Sequence, residues 1–322
     1  MAKKVSIVIP IYNVDGFLER CLTSVKEQSY TFFEVLLIDD GSTDNSNKIC
    51  NEFVKNDDRF IYIYQKNAGV SAARNNGIRN AYGDYITFVD GDDFLEENHI
   101  EKMVNGFFKA ELVISGRKNV TEKGVQEIFQ SNEELFFNRG NLVKQILKLG
   151  IVYSFPWNKM YKKKILDENS LHFDESLDYG EDLVFNIQYA LLIHESVLIT
   201  SSTYNYVYRE SSASNHMNED SLRKRVTDLL SIKKTIQILP SNFMKEKTFL
   251  NKRIVVEGAR YIRLMYVYNF SATDINFYKK VVENSYKLIK NSLSNKEKII
   301  YYGNLKMPKT MNFISKLKNI KN

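Results

Sequence analysis

The N-terminal third of the chain alternates between short apolar runs and helical periodicity, and this alternation limits the possible folds more than any other feature. The apolar runs are continuous and rich in branched residues, as expected for strands buried on both faces of a parallel sheet. They lie at Val5–Ile9, Val35–Ile38, Phe60–Tyr64 and Tyr85–Val89. Helical spacing of apolar residues separates them, around Phe17–Val25, Thr43–Val54 and Ser71–Ala81. The pattern predicts an α/β fold with a mainly parallel central sheet flanked by helices.

Length and composition are those of a folded catalytic domain with an appendage. The chain has 322 residues, of which 43% are hydrophobic, so a sizeable core can form. Cys21 and Cys50 fall in helical stretches and are interpreted as small buried residues, since a secreted disulfide scaffold would need more cysteines. The sequence shows neither a signal peptide nor an apolar run near the roughly 18 residues of a membrane span. We therefore expect a cytoplasmic protein.

The C-terminal stretch is basic, although the net charge of the whole chain is only +6. It contains five lysines and no acidic residue: Lys306, Lys309, Lys316, Lys318 and Lys321. This stretch is either a solvated tail or a peripheral contact with anionic lipid headgroups at the inner face of the membrane. No nucleic-acid-binding module accompanies the charge, so we expect no nucleic acid partner.

Mostly polar residues follow each of the four predicted strands. They are Pro10, Tyr12 and Asn13; Asp39-Asp40-Gly41-Ser42; Asn67-Ala68-Gly69; and Asp90-Gly91-Asp92-Asp93. In open α/β sheets, ligands bind beyond the carboxyl ends of the strands, where the strand order reverses. We therefore expect the four strand ends to converge on one crevice.

The acidic cluster Asp90–Asp93 is the strongest chemical signal in the chain. Neighbouring carboxylates repel one another and persist where a cation offsets their charge. Mn²⁺ or Mg²⁺ suits such an oxygen-only set, completed by water and substrate phosphates. The alternative is an ordinary turn, because Asp and Gly are common turn residues.

Asp39-Asp40 and Arg74 can each be interpreted either as structural residues or as ligand-binding residues. Asp39 and Asp40 precede a predicted helix that Ser42 or Thr43 could cap, so one acid could serve the helix start. A carboxylate there could also accept a hydrogen bond from a uracil N–H or a ribose hydroxyl. Arg74 is either a surface arginine or a clamp for a diphosphate near a helix start.

Four motifs, in this order and spacing, resemble the family 2 inverting glycosyltransferases, which have the GT-A fold. They are Val5-Ser6-Ile7-Val8-Ile9-Pro10-Ile11-Tyr12-Asn13, Ile38-Asp39-Asp40-Gly41-Ser42-Thr43-Asp44, Asn67-Ala68-Gly69-Val70-Ser71-Ala72-Ala73-Arg74-Asn75 and Phe88-Val89-Asp90-Gly91-Asp92-Asp93. The resemblance covers about the first two thirds of the chain. It implies a nucleotide-sugar donor, commonly a UDP-sugar, and a divalent metal, Mn²⁺ or Mg²⁺.

The resemblance also implies roles for individual residues. In the donor site, the residues that would hold the nucleoside are Pro10, Tyr12 and Asp40. Those beside the ribose and phosphates would be Asn67, Gly69 and Arg74. The ribose and the metal-diphosphate would be held by Asp90 and Asp92. A closing segment would bring Arg209 and Ser214 to the diphosphate. On the acceptor side, Asp182 would be the catalytic base, with Glu181, Trp157 and Lys159 near the acceptor. From the residues alone, Glu181 and Asp182 could instead be first-turn acids of a helix, and Trp157 a core anchor.

The sequence predicts three regions. Residues 1–105 form the nucleotide-sugar-binding half of the GT-A domain, 106–219 the acceptor and catalytic-base half, and 220–322 a helical region for oligomerisation, acceptor binding or membrane docking. The expected activity is transfer of a UDP-hexose or UDP-N-acetylhexosamine sugar to a glycan, lipid-linked glycan or glycoprotein. The alternative is an inactive nucleotide-sugar-binding partner subunit. A nucleotidyltransferase would require a glycine-rich basic loop near the N-terminus, and Ile11–Val14 offers none.

Overall fold

The computed structural model describes residues 2–129, 133–148, 151–208 and 218–308. The chain divides into two compact units. The first comprises Met1–Glu175 and Phe185–Glu210, and the second comprises Ser176–Val184 and Ser211–Asn322. The predicted division at residues 105 and 219 stays a prediction.

The described part of the first unit contains one sheet of ten strands. They are β1 (Val5–Ile11), β2 (Phe33–Asp39), β3 (Phe60–Tyr64), β4 (Tyr85–Phe88), β5 (Phe94–Leu95), β6 (Leu112–Thr121), β7 (Gly124–Glu127), β8 (Glu134–Asn138), β9 (Lys159–Lys162) and β10 (Glu195–Val207). Their order is β3-β2-β1-β4-β9-β6-β10-β5, with β7 beside β6 and β8 beside β10. The four predicted strands, β1 to β4, are parallel neighbours, which confirms the predicted α/β fold.

Helices flank this sheet. They are α1 (Asp15–Lys26), α2 (Ser46–Asn56), α3 (Val70–Asn80), α4 (His99–Gly106), α5 (Arg139–Leu147), α6 (Lys163–Glu168) and α7 (Glu181–Leu192). The division between the two units falls within α7. From β1 the chain adds β2 and β3 on one side and then β4 on the other, so the strand order reverses between β1 and β4. The carboxyl ends of β1 to β4 lie at one edge of the sheet, called the carboxyl edge below.

Helix α3 packs closely on β1 at Gly77. A Cβ added at Gly77 would overlap the side chain of Val8, which is fully buried. We expect Gly77→Ala to lower the free energy of unfolding by about 1–3 kcal/mol, because overpacking forces a helix or strand to shift. Gly16→Ala is the matched control, since its Cβ meets nothing within 4 Å. Urea unfolding of both variants measures the difference, and equal stabilities would contradict the close packing.

The described part of the second unit is helical, as predicted. It contains α8 (Glu219–Arg225), α9 (Asp228–Ile238), α10 (Met244–Val267), α11 (Ala272–Ile289) and α12 (Asn295–Lys306), with short 3₁₀ turns at Ser241–Phe243 and Lys290–Ser292. Pro240 separates α9 from the first 3₁₀ turn. In the part of the chain that the structure describes, no helix is both long and apolar enough to cross a membrane.

Candidate active site

The loop after β1 is tied to the loop after β2. The Asn13 backbone N–H donates to Ser42 Oγ at 3.2 Å, and Asn13 Oδ1 accepts from the Thr43 backbone N–H at 2.8 Å. The prediction that Ser42 or Thr43 caps α2 is therefore wrong. Helix α2 begins at Ser46, whose backbone N–H donates to Asp44 Oδ1 at 3.0 Å. The side chain that accepts a free N–H at the start of α2 is therefore that of Asp44.

The two predicted nucleoside-binding residues of the first loop differ in exposure. Tyr12 is 51% exposed at the carboxyl edge, whereas Pro10, in β1, is partly buried. An aromatic ring with half of its surface exposed at this edge could stack on a planar base. Contact with a nucleoside stays a prediction for both residues.

Asp40 connects the end of β2 to the loop after β3. It is only 3% exposed, and its carboxylate accepts hydrogen bonds from Gln65 Nε2 at 2.7 Å and from the Ala68 and Gly69 backbone N–H groups at 2.8 Å each. The adjacent Gly41 has φ of +77°, and a Cβ there would lie 2.9 Å from the Asn67 backbone nitrogen. Asp40 thus fixes the loop that carries Asn67 and Gly69, and its predicted contact with the nucleoside is untested.

Arg74 and Asp90, both predicted to bind the donor, are in contact. Arg74 lies in the second turn of α3, is 5% exposed, and donates from Nη2 to Asp90 Oδ1 at 3.2 Å. Its guanidinium carbon also lies 5.4 Å from the centroid of the Phe173 ring. The alternative of a surface arginine is therefore wrong. The positively charged guanidinium of Arg74 lies beside the acidic cluster at the carboxyl edge.

Asp93 holds the acidic cluster against β10, a role that sequence reasoning missed. It is 1% exposed, its Oδ2 accepts from the Tyr204 hydroxyl at 2.7 Å, and its Oδ1 accepts from the Val207 backbone N–H at 2.8 Å. The Tyr204 hydroxyl also accepts from the Asp90 backbone N–H at 3.2 Å. Burial, with help from the charges of Asp90 and Asp92, raises the pKa of Asp93 well above its ordinary value.

Tyr204→Phe tests this support of the acidic cluster. The substitution leaves the buried Asp93 carboxylate and Asp90 N–H without their common partner, so we expect a loss of about 1–3 kcal/mol in the free energy of unfolding. Tyr208→Phe is the matched control, because Tyr208 follows the same strand and is 47% exposed. Chemical denaturation of both variants gives the comparison. A Tyr204 variant as stable as the Tyr208 variant would show that the hydroxyl does not hold the cluster.

Asp90 and Asp92 have the chemistry that a divalent cation requires. Both are carboxylates directly after β4, and both are partly buried. Among the described residues, no group of three or more His, Cys, Asp or Glu side chains could hold a metal ion by itself. Two carboxylates are nevertheless the ligand type of Mg²⁺ or Mn²⁺, which commonly takes one or two carboxylates and fills its shell with water and substrate phosphates. Metal binding at Asp90 and Asp92 stays a prediction.

Trp157 and Lys159, predicted near the acceptor, are largely buried. Trp157 is 4% exposed and stacks on Tyr204 at 4.5 Å between ring centroids, which is the environment of a core anchor. Lys159 is fully buried, and its Nζ donates to the carbonyls of Tyr153 and Phe155 at 2.7 and 2.6 Å. Both residues shape the segment before β9, and their contact with an acceptor stays a prediction.

Glu181 and Asp182 occupy the first turn of α7, within the second unit. Gly180, directly before them, has φ of +84°, and a Cβ there would overlap the Ser231 hydroxyl of α9. The Asp182 carboxylate accepts from the Leu183 backbone N–H at 2.7 Å. Asp182 is partly buried, so α9 fixes the turn that presents it, and its role as the base stays a prediction.

Several predicted contacts lie outside the described residues. Arg209 and Ser214, expected to bind the diphosphate, belong to 209–217. The basic stretch beyond residue 308, with Lys309, Lys316, Lys318 and Lys321, lies outside them as well.

Comparison with known proteins gives the family. The model of glycosyl transferase family 2 matches residues 6–169. This is about half of the chain, and the match contains the residues that follow each of the strands β1 to β4. The chain belongs to glycosyl transferase family 2.

Several bacterial glycosyltransferases are similar in sequence. Glycosyltransferase GlyA of Streptococcus pneumoniae serotype 4 is 32% identical over 71% of this chain and 35% of its own length. Glycosyltransferase EpsJ of Bacillus subtilis is 30% identical over 66% of this chain and 62% of its own length. The poly(ribitol-phosphate) beta-N-acetylglucosaminyltransferase TarP of Staphylococcus aureus is 30% identical over 67% of this chain and 66% of its own. The chain thus spans about a third of GlyA and less than two thirds of EpsJ.

A solved structure shares the fold. The crystal structure of S. aureus TarS residues 1–349 in complex with UDP-GlcNAc superposes with a TM-score of 0.60 at 20% identity. The match covers 88% of this chain and 92% of that structure. At this identity the likeness shows the fold, and it agrees with the predicted GT-A architecture and helical C-terminal region.

Proposed function

We propose that the chain is an inverting glycosyltransferase that moves a sugar from a UDP-linked donor to a hydroxyl group of a glycan, lipid-linked glycan or glycoprotein acceptor. The observation that carries the proposal is the carboxyl edge of the sheet, where Arg74 contacts Asp90 beside Asp92. Support comes from membership of the family, from the activity in TarP's name and from the UDP-GlcNAc bound by TarS.

The donor site follows from the charges at this edge. The Arg74 guanidinium, already aimed at the acidic cluster, can exchange part of its contact with Asp90 for phosphate oxygens. The loop that contains Asn67 and Gly69 leads directly into α3, and the free N–H groups at the start of that helix attract negative charge. Tyr12 offers its exposed ring to the nucleoside. These groups would bind and orient UDP without taking part in bond making.

A divalent cation, Mn²⁺ or Mg²⁺, completes the proposed site. Asp92 and Asp90 would hold it, and it would supply positive charge against the leaving diphosphate. Asp93 would keep the two carboxylates in place through Tyr204 and the Val207 N–H. The cation therefore depends on a support that is itself buried.

Asp182 would act as the base. Inversion requires the acceptor hydroxyl to attack the anomeric carbon from the face opposite the nucleotide, and a carboxylate must take its proton. The structure gives Asp182 a fixed backbone at the start of α7, because Gly180 packs against Ser231. Glu181, Trp157 and Lys159 are proposed to shape the acceptor side.

Turnover with defined donors tests the proposal. The purified protein would be incubated with UDP-GlcNAc, UDP-glucose or UDP-galactose, Mn²⁺ and a panel of glycan and polyol acceptors, while UDP release is measured. We expect acceptor-dependent release with one donor preferred, and a product whose anomeric configuration, read by NMR, is opposite to that of the donor. Retained configuration would contradict inversion, and no release with any pair would favour a non-catalytic partner subunit.

A further inference from the structure

Arg117, in β6, carries a partly buried positive charge that is not paired with any carboxylate of the described residues. Within the described ranges, no carboxylate pairs with it, and its Nε is buried without a hydrogen-bond partner. Burial lowers the pKa of its guanidinium, and the phenols of Tyr153 and Tyr206 only partly oppose this effect. A desolvated cation is costly unless an anion is paired with it.

Arg117 lies over a row of stacked aromatic rings. Tyr153 stacks on Phe155 with ring centroids 5.5 Å apart, Phe155 on Trp157 at 5.1 Å, and Trp157 on Tyr206 at 5.5 Å. We call these four residues the aromatic ladder. The guanidinium carbon is 4.3 Å from the Tyr153 centroid and 5.5 Å from that of Trp157. Tyr153, Phe155 and Tyr206 are only partly buried, so part of each of these side chains is accessible.

The ladder lies beside the proposed donor site. Strand β6 is antiparallel to β9, which is antiparallel to β4, so the C-terminal half of β6 points to the carboxyl edge. Arg117 is in register with Tyr204, whose hydroxyl contacts Asp93 and the Asp90 N–H. Burial raises the pKa of the Tyr206 phenol, the Asp90–Asp93 carboxylates add to that rise, and Arg117 opposes it. Tyr206 therefore lies within electrostatic reach of both groups.

Packing alone does not explain Arg117, as a comparison with Arg59 shows. Arg59 also stacks on an aromatic ring, with its guanidinium carbon 4.3 Å from the Phe33 centroid. However, Arg59 forms an ion pair with Asp57 at 2.7 Å. The two arginines share the ring contact, but only Arg59 has a paired carboxylate among the residues that the structure describes.

We propose that Arg117 and the aromatic ladder form the acceptor subsite, and that the acceptor carries an oxyanion which the guanidinium binds. The forked N–H groups of arginine match the two oxygens of a phosphate or carboxylate, and aromatic faces suit the C–H surface of a sugar or polyol. The acceptor class is therefore an anionic carbohydrate or polyol. This inference rests on the proposed transferase function, because it assigns the second substrate of that site.

Binding of small probes tests the subsite. Ribitol 5-phosphate, glucuronate and uncharged ribitol would be titrated calorimetrically into the wild type, Arg117→Met, Arg117→Lys and Arg59→Met, with and without UDP. We expect Arg117→Met to weaken binding of an oxyanion probe by at least about tenfold, and Arg117→Lys by less, because a charged hydrogen bond is lost in one and kept in part in the other. UDP affinity should stay within about twofold of wild type in both.

Stability separates binding from a structural role. Methionine keeps the apolar contact with the ladder and removes the unpaired charge, so the melting temperature of Arg117→Met should equal or exceed that of wild type. Arg59→Met should melt lower, because it leaves Asp57 without its partner, and it should keep oxyanion binding.

The outcomes are distinct from those of the donor test. Preference for ribitol 5-phosphate or for glucuronate identifies the source of the oxyanion. Three results would overturn the subsite. The first is equal oxyanion binding by wild type and Arg117→Met, and the second is a protein that binds UDP but neither oxyanion probe. The third is loss of UDP binding in Arg117→Met. Oxyanion binding that depends on Arg117 in a protein that does not bind UDP would instead contradict the proposed function while leaving an oxyanion site at Arg117.

Discussion

Asp182→Asn should reduce sugar transfer by about 10²- to 10⁴-fold, the contribution of a positioned general base. The amide is almost isosteric with the carboxylate but cannot take the proton of the acceptor hydroxyl. Asp182 is not among the residues proposed to hold UDP, so UDP affinity should stay within about twofold of wild type. Steady-state UDP release and calorimetry with UDP measure the two effects separately.

Asp178→Asn is the control for this experiment. Asp178 lies four residues before Asp182 and is exposed, so the same chemical change there should leave transfer close to wild type. Asp182→Asn with wild-type transfer would remove Asp182 from the mechanism. Loss of UDP binding in that variant would place Asp182 in the donor site instead.

Asp92→Asn should reduce transfer by at least about 10²-fold, because a metal that neutralises a leaving diphosphate contributes several kcal/mol. Unlike the change at Asp182, it should also weaken UDP binding in the presence of Mn²⁺. With a chelator, UDP should bind the variant and the wild type about equally, since the difference between them depends on the cation.

Asp58→Asn, an exposed carboxylate in the same unit, is the control for loss of charge. If Mn²⁺ leaves UDP binding to the wild type unchanged, metal dependence is contradicted. That result would not contradict the fold or the role of Asp182 as the base. Equal transfer by Asp92→Asn and Asp58→Asn would remove Asp92 from the site.

The central sheet could be predicted because its strands are specified locally. Val5–Ile9 and Val35–Ile38 are buried on both faces, so their composition alone distinguishes them from the amphipathic α1. The polar residues after them could be assigned to one edge because parallel neighbouring strands end on the same side. The C-terminal helices could also be predicted, because the apolar residues of α10 recur at the spacing of a helix packed on one face.

Contacts between distant segments could not be predicted in the same way. Asp93 is held by Tyr204 more than a hundred residues away, and nothing in the local sequence indicates that pairing. The start of α2 was misplaced because Asp44, rather than Ser42 or Thr43, accepts the first free N–H. In the sequence, Arg117 is one basic residue among many. It is distinguished by its partial burial over Tyr153 with no paired carboxylate among the described residues.

The central claim is that the carboxyl edge of the first unit binds a nucleoside diphosphate, and titration calorimetry tests it most directly. The purified protein would be titrated with UDP, GDP, ADP and CDP, each with Mn²⁺ and with a chelator. We expect UDP-selective binding that requires the metal and weakens at least about tenfold in Arg74→Met, which removes a charged hydrogen bond to phosphate. Folded protein that binds none of the four nucleotides would contradict the proposed donor site and the transferase function built on it.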